Sequence, residues 1–259
     1  DLAARASQAL RKEFVRQADL EEEHPILRLG CWRDLLADGF SAHFTERVWS
    51  HPSWSRYLER FTPGKAEDGL YERYGLPRHA PIVSYIGRLD AEKHLPVLVR
   101  AFLRVQSTHP EAHLLVVGDG TDAAHLKSLV HEFSLQHSVT FTGRVSDEDL
   151  VQLHKVGTVF CMPSPAELQS IATLEAMASG QPVVAVDAGA LKELCQHRRN
   201  GFLCQQDDDE QIADGLSRVI DDSALRAEFA KESLAIAKTH DIRTTLERFE
   251  SIYTSLIND

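Results

Sequence analysis

Two carboxylates, Glu167 and Glu175, stand eight positions apart in PSPAELQSIATLEAMASGQPVVAV, a stretch that carries no other charge before its end. A buried carboxylate costs on the order of several kcal/mol unless donors satisfy it. Glu175 has Leu174, Ala176 and Met177 as neighbours. A ribose 2′,3′-diol offers two hydroxyl donors that one carboxylate can accept. Glu167 precedes the helix and would face a group lying beyond a phosphate. The same two residues also admit structural roles: a first-turn acid favoured by the helix dipole for Glu167, and a core ion pair to another helix for Glu175. Upstream, Gly87-Arg88-Leu89-Asp90-Ala91-Glu92-Lys93 places two positive charges in one loop of a chain whose formal charge is −11. A basic pair there points to an anion, most simply a phosphate group. A solvated surface pair is the alternative.

These residues need elements to position them. Short β-branched runs alternate with helical stretches from Pro81 onward: PIVSYIG, HLLVVGDG, SVTFTG, TVFCMPS, PVVAV and GFLCQ read as strands. Between them, His94–Ser107 is an expected helix with Leu95, Leu98, Phe102 and Val105 on one face. Further helices are expected over Asp122–Leu135, after an N-cap at Ser146, through Leu191–Cys195, and over Asp208–Ile220 and Ser223–Lys238. The segment DIRTTLERFESIYTSLI reads as a closing helix. Alternating strands and helices predict an α/β fold with a parallel sheet covered on both faces. Two β-α-β-α-β halves predict the doubly wound strand order 3-2-1-4-5-6, with ligands bound outside the carboxyl ends of the strands where the winding reverses. That crevice lies between the loops after strands one and four, which hold Arg88, Lys93 and Glu167. The helix after strand four is expected to start near Gln169 or Ser170 and to stop at Gly180, a C′ glycine. Its first amides lack intrahelical partners and would meet an anion. That helix is apolar nearly all round, which predicts burial.

Composition limits the alternatives. The acidic balance argues against nucleic acid as a general partner, because phosphate binding needs a basic footprint. No run of apolar residues is long enough for a membrane span. Thirteen histidines lack the spacing of H-E-x-x-H or H-x-H, so most read as surface or helix residues. Cys31, Cys161, Cys195 and Cys204 form no C-x-x-C pair and read as free thiols of a reducing cytosol. Gly118 to Ala123 fits G-x-G-x-x-A, but it follows the second strand and reads better as a tight turn before a capped helix. Thr62–Gly69, TPGKAEDG, reads as a linker. No leader pattern opens the chain, which starts at Asp1, and an upstream portion is expected.

Taken together, YIGRLDAEK, LLVVGDG, VTFTGRV, the E-x7-E stretch continuing as EAMASGQPVVAVDAG, then KEL and NGFL, resemble the nucleotide-binding half of a group-one (family four) retaining glycosyltransferase. The resemblance covers about Phe61 to Leu216. It implies the C-terminal Rossmann-like domain of a GT-B fold. On that reading residues 1–62 are a helical remnant of an acceptor domain or hinge, 63–240 the nucleotide-sugar-binding domain and 241–259 a C-terminal helix. The resemblance also implies roles. Arg88 and Lys93 hold the donor diphosphate, and the peptide N–H groups of Ser170 and Ile171, after Gln169, complete the phosphate turn. Glu175 takes the ribose hydroxyls and Glu167 lies near the donor sugar. Gly143, Arg144 and Val145 lie against the base, while Gly87 and Gly118 end their strands. The implied reaction moves a hexose with retention from a UDP-sugar or GDP-sugar to a lipid or glycan acceptor. It needs no cofactor and no metal. The implied setting is cytoplasmic, with peripheral membrane association.

The chain departs from the family pattern in places. E-x-F-G-[IL] is Glu167-Leu168-Gln169-Ser170-Ile171 here, a form resembling members that glycosylate lipids. The segment before the domain keeps Phe61 and Pro63 but lacks the usual Gly-Val-Asp, and the second glycine of G-G-x-x-E is Ala190. The family has a second Rossmann domain ahead of this one, for which residues 1–60 are too few. A missing N-terminal domain, and hence a donor-binding fragment without activity, is one alternative. A sugar-nucleotide epimerase of related fold is another. A NAD-linked oxidoreductase would need an acid ending the next strand, and TFTG supplies none.

Overall fold

A computed structural model describes residues 57–240, of which Leu58–Lys238 form one compact unit. The expected parallel sheet is present, with strands β1 (Ile82–Ile86), β2 (His113–Val117), β3 (Val139–Gly143), β4 (Val159–Met162), β5 (Val183–Val186) and β6 (Gly201–Cys204). Their order is β3-β2-β1-β4-β5-β6, and every pairing is parallel. The winding therefore reverses between β1 and β4. Strands β1, β2, β4 and β5 are buried throughout, which explains why they read as continuous apolar runs rather than alternating ones.

Helices α1 (Tyr57–Arg60), α2 (Asp68–Tyr74), α3 (Leu95–Thr108), α4 (Ala123–Glu132), α5 (Asp147–Leu153), α6 (Ile171–Ala178), α7 (Leu191–Leu194), α8 (Asp209–Asp221) and α9 (Ser223–Thr239) connect or flank the strands. Helix α3 packs on α8. The expected cap of α5 is made, with Ser146 Oγ accepting from the Asp149 amide at 3.1 Å. Asp208 caps α8 in the same way through the Gln211 amide at 2.9 Å. The expected linker Thr62–Gly69 is too long at its far end. Asp68 and Gly69 open α2, a helix the sequence hides because it buries only Leu70 and begins with a poor helix former. Phe61 belongs to the core at 2% exposure.

The rim at the carboxyl ends of β1, β2 and β3 is knitted by backbone. Gly87 N–H donates to Val117 O and Gly118 N–H to Gly143 O, both at 3.0 Å. Leu89 N–H donates to Asp119 O at 3.0 Å, and Asp122 N–H to Leu89 O at 2.8 Å. Gly118 has φ 129°, and a Cβ there would lie 1.9 Å from Gly87 O. Only glycine fits. The G-x-G-x-x-A stretch is thus a turn zipped onto its neighbour. Cys161, Cys195 and Cys204 are buried free thiols, with burial pushing Cys204 up to about 12. Cys31 and the expected closing helix from Asp241 lie outside the described residues. Among those residues no helix is long and apolar enough to cross a membrane.

Candidate functional site

The loop after β1 leaves the sheet at Gly87, makes one 3-10 turn over Ala91–Lys93, and enters α3 through His94 in the left-handed region at φ 50°. Tyr85 fixes its start: the buried phenol donates to Arg88 O at 2.8 Å. Burial first, and then the Glu167 charge, push that phenol well above its usual range, so it stays a donor. Asp90 fixes the middle by accepting from Thr121 N–H at 2.9 Å and Thr121 Oγ1–H at 3.0 Å. Those bonds, and then Arg88, hold the Asp90 carboxyl below its ordinary range.

The loop after β4 approaches from the other side. Ser164 is buried; its hydroxyl donates to Glu92 O at 3.4 Å and accepts from Ala166 N–H at 3.2 Å. Glu167 then meets Lys93 at 2.6 Å, with only 10% and 14% of the two side chains exposed. Gly189 makes room for that loop. At φ 48°, a Cβ on it would stand 2.4 Å from Glu167 O, and Ala190 N–H donates to the same carbonyl at 3.0 Å.

Helix α6 begins one residue later than the sequence suggests. Ser170 stands ahead of it at φ 48°, ψ 61°, a left-handed conformation that costs a non-glycine residue about 1 kcal/mol or more. Its carbonyl accepts from Thr173 N–H at 2.9 Å and Leu174 N–H at 3.1 Å. Its hydroxyl pairs with Thr173 Oγ1 at 2.8 Å. Among the described residues, the amides of Ser170, Ile171 and Ala172 donate to no protein group. Thr173, Leu174, Ala176, Met177 and Ala178 are buried, whereas Ile171 is exposed and Ala172 and Glu175 are half-buried, which leaves α6 one partly open face. Glu175 therefore lies on the partly open face of α6, one turn along from Ile171. It is not sealed in the core, as the apolar surroundings suggested. Its side chain keeps 17% exposure, one carboxylate oxygen lying 3.4 Å from Nε2 of the buried His154. The helix stops as expected, with Gly180 at φ 80° after the Ser179 cap.

Arg88 behaves differently from Lys93. It is 67% exposed and pairs with Asp90 and, at 2.6 Å, with Glu92 of its own loop. Gln169 is exposed and Val145 half-buried. Arg144 is exposed, 3.8 Å from Asp119. Gly143 has φ 67° with open space where a Cβ would stand. The structure thus joins Lys93 to Glu167, Gly87 and Gly118 to the β2–β3 rim, and Glu175 to His154. Sequence reasoning missed Tyr85, Asp90, Gly189 and His154 as supports of these groups. Each acts across a gap in sequence or through backbone, and only Gly189, the first glycine of the G-G-x-x-E pattern, carries a local mark. No cluster of three or more potential metal ligands occurs among the described residues.

The family profile described as Glycosyl transferases group 1 matches residues 70–234. The sulfoquinovosyl transferase SQD2 of Arabidopsis thaliana is 31% identical over 224 residues, which is 85% of this chain and 42% of that protein. The C-terminal domain of a group 1 glycosyl transferase family protein (LpcC) from Francisella tularensis matches at TM-score 0.63 and 26% identity, covering 70% of this chain and 96% of that domain. The structure of Anabaena Alr3699/HepE in complex with UDP shares the fold at TM-score 0.64 and 24% identity, over 78% of this chain and 54% of that one. The chain spans about half the length of the curated relatives it matches.

Proposed function

Because the chain belongs to the group 1 glycosyl transferases, we propose that it is the donor side of a retaining hexosyltransferase and binds a nucleotide-sugar at the β1–β4 reversal. The observation that carries this reading is the Lys93–Glu167 contact at 2.6 Å, which joins the loops after β1 and β4 beside the unpaired amides of α6. On this reading Lys93 and Arg88 neutralise the diphosphate, and the Ser170, Ile171 and Ala172 amides complete its cradle. Glu175 accepts from the ribose hydroxyls. Glu167 holds the sugar end, released in part from Lys93 as the phosphate charge arrives. Gly143, Arg144 and Val145 face the base.

The bond from the anomeric carbon to the leaving phosphate oxygen breaks, and a bond to the acceptor oxygen forms on the same face. The acceptor proton passes to the departing phosphate. The fixed positive charges and amides stabilise the negative charge that develops there, and such preorganised electrostatic stabilisation usually supplies most of the rate enhancement in an enzyme. UDP is the first nucleotide to test, since a protein of the same fold holds it; GDP is the comparator. The acceptor is a lipid or a glycan, and the E-x-Q-S form, which resembles members that glycosylate lipids, favours the lipid. Membrane association is part of the same proposal.

Thermal melting in the presence of UDP, GDP and ADP tests the donor site. Saturation at about 100 times Kd adds about 2.7 kcal/mol, which raises the midpoint by several degrees. Glu175→Ala should remove half of the shift or more. Melting curves that respond to none of the three nucleotides would defeat the reading. Product analysis with the UDP-sugar then separates transfer from binding alone.

A further inference from the structure

His154 follows α5 and is completely buried, and neither of its ring nitrogens has a hydrogen-bond partner by geometry. Buried polar atoms without partners are rare enough to require an explanation. The ring is firmly held. Phe61 meets it edge-on at 5.0 Å between centroids, and Phe160 lies tilted at 6.3 Å on another side. Gln181, itself buried, donates from Nε2 to the His154 carbonyl at 2.6 Å and accepts through Oε1 from Ser84 Oγ at 2.8 Å. That fixes the backbone from which the ring projects. Nε2 lies 3.4 Å from Glu175 Oε2 on the interior side, within reach of a hydrogen bond but without the alignment of one. An unprotonated nitrogen there would set a lone pair against a carboxylate, so the proton belongs on Nε2. The gap is a few tenths of an ångström longer than a good N–H···O bond, and a small turn of the carboxylate would align the two.

We infer that His154 is a positioning residue for Glu175: its Nε2–H clamps one carboxylate oxygen from inside, leaving the other presented on the open face of α6 to a ribose diol. The clamp closes when the ligand draws the carboxylate into place. This rests on the donor-site reading. The ring does not touch ligand; it limits the directions in which Glu175 can turn, so its contribution shows only for ligands with ribose hydroxyls.

The test uses the whole chain with UDP and 2′,3′-dideoxy-UDP as paired probes. His154→Phe fills the slot between Phe61 and Phe160 but donates nothing; His154→Gln restores a donor of similar reach. In His154→Phe the preference for UDP over the dideoxy nucleotide should fall by about tenfold, the scale of one hydrogen bond to a charged group, with dideoxy-UDP affinity unchanged. His154→Gln should recover most of the preference. A second, ligand-free measurement is the long-range 1H–15N spectrum of the histidine rings. It should show His154 protonated at Nε2, with that signal displaced in Glu175→Ala. Equal weakening of both nucleotides by His154→Phe, or a ring spectrum that ignores Glu175→Ala, overturns the inference. If UDP does not bind the parent chain, the donor-site reading falls, and the ring spectrum still decides whether the His154–Glu175 clamp exists.

Discussion

Arg88 and Lys93 sit five residues apart in one loop with the same charge, yet the fold treats them in opposite ways. Arg88 is largely in water and holds two acids of its own loop, Asp90 and Glu92. Lys93 is mostly buried and reaches across 74 residues to Glu167. The local pair can be remade with any nearby partner, since exposed ion pairs contribute about 0–1 kcal/mol. The remote pair ties two loops together across the reversal of the sheet. A shared ligand role therefore does not mean a shared structural one: the same phosphate would find one arm free to swing and the other already set.

The largest effect that tests this contrast is on Lys93. Replacing it by Met leaves Glu167 buried without its counter-charge and should cost about 2–4 kcal/mol in urea unfolding, because breaking a buried pair is worse than removing both members. Lys93→Met with Glu167→Leu should recover most of that loss. Recovery would show that the pair is kept for something other than stability, whereas no recovery would place Glu167 in further contacts. Arg88→Met should change stability by no more than about 0.5 kcal/mol, while still weakening UDP. A loss as large as that of Lys93→Met would erase the distinction.

The smallest effect concerns Asp90, which accepts from Thr121 and so ties the loop to its β2 neighbour. Its folded pKa is lowered, chiefly by Thr121 and less by Arg88. A depressed carboxylate stabilises above its unfolded pKa of about 3.9, and that contribution is lost as pH falls through the lower folded value. The melting difference between the parent and Asp90→Asn should stay level above about pH 5 and shrink below about pH 4. A difference that grows in acid would reverse the assignment.

The sheet was legible because its strands are buried on both faces. Runs such as IVSYI and LLVV have no other use in a chain that returns to polar helices between them, and six of them imply one winding order. The stop of α6 at Gly180 and the cap at Ser146 were legible for local chemical reasons. The left-handed backbone at Ser170 and His94 was not, since neither residue type demands it; Thr173 and Leu174 hold the first within its own turn, and Asp207 meets the second from 113 positions away. Glu175 looked buried because its sequence neighbours are apolar. They face inward, and the helix leaves one narrow face open. In sequence, His154 is one more polar residue ending a helix. Its importance comes from Phe61, Phe160 and Gln181, which lie 93, 6 and 27 positions away and converge only in the fold. Residues 1–56 of the expected remnant over 1–62, and the closing helix from Asp241, lie outside the described residues.

The central claim is that Glu175 serves a nucleoside and the amide end of α6 with Lys93 serves its diphosphate. Calorimetric titration of UDP and of inorganic pyrophosphate into the parent chain and into Glu175→Ala tests it most directly. UDP affinity should drop by about tenfold or more in the variant, with pyrophosphate binding both chains alike. Equal UDP affinity in the two chains, or a matching loss for pyrophosphate, would contradict it.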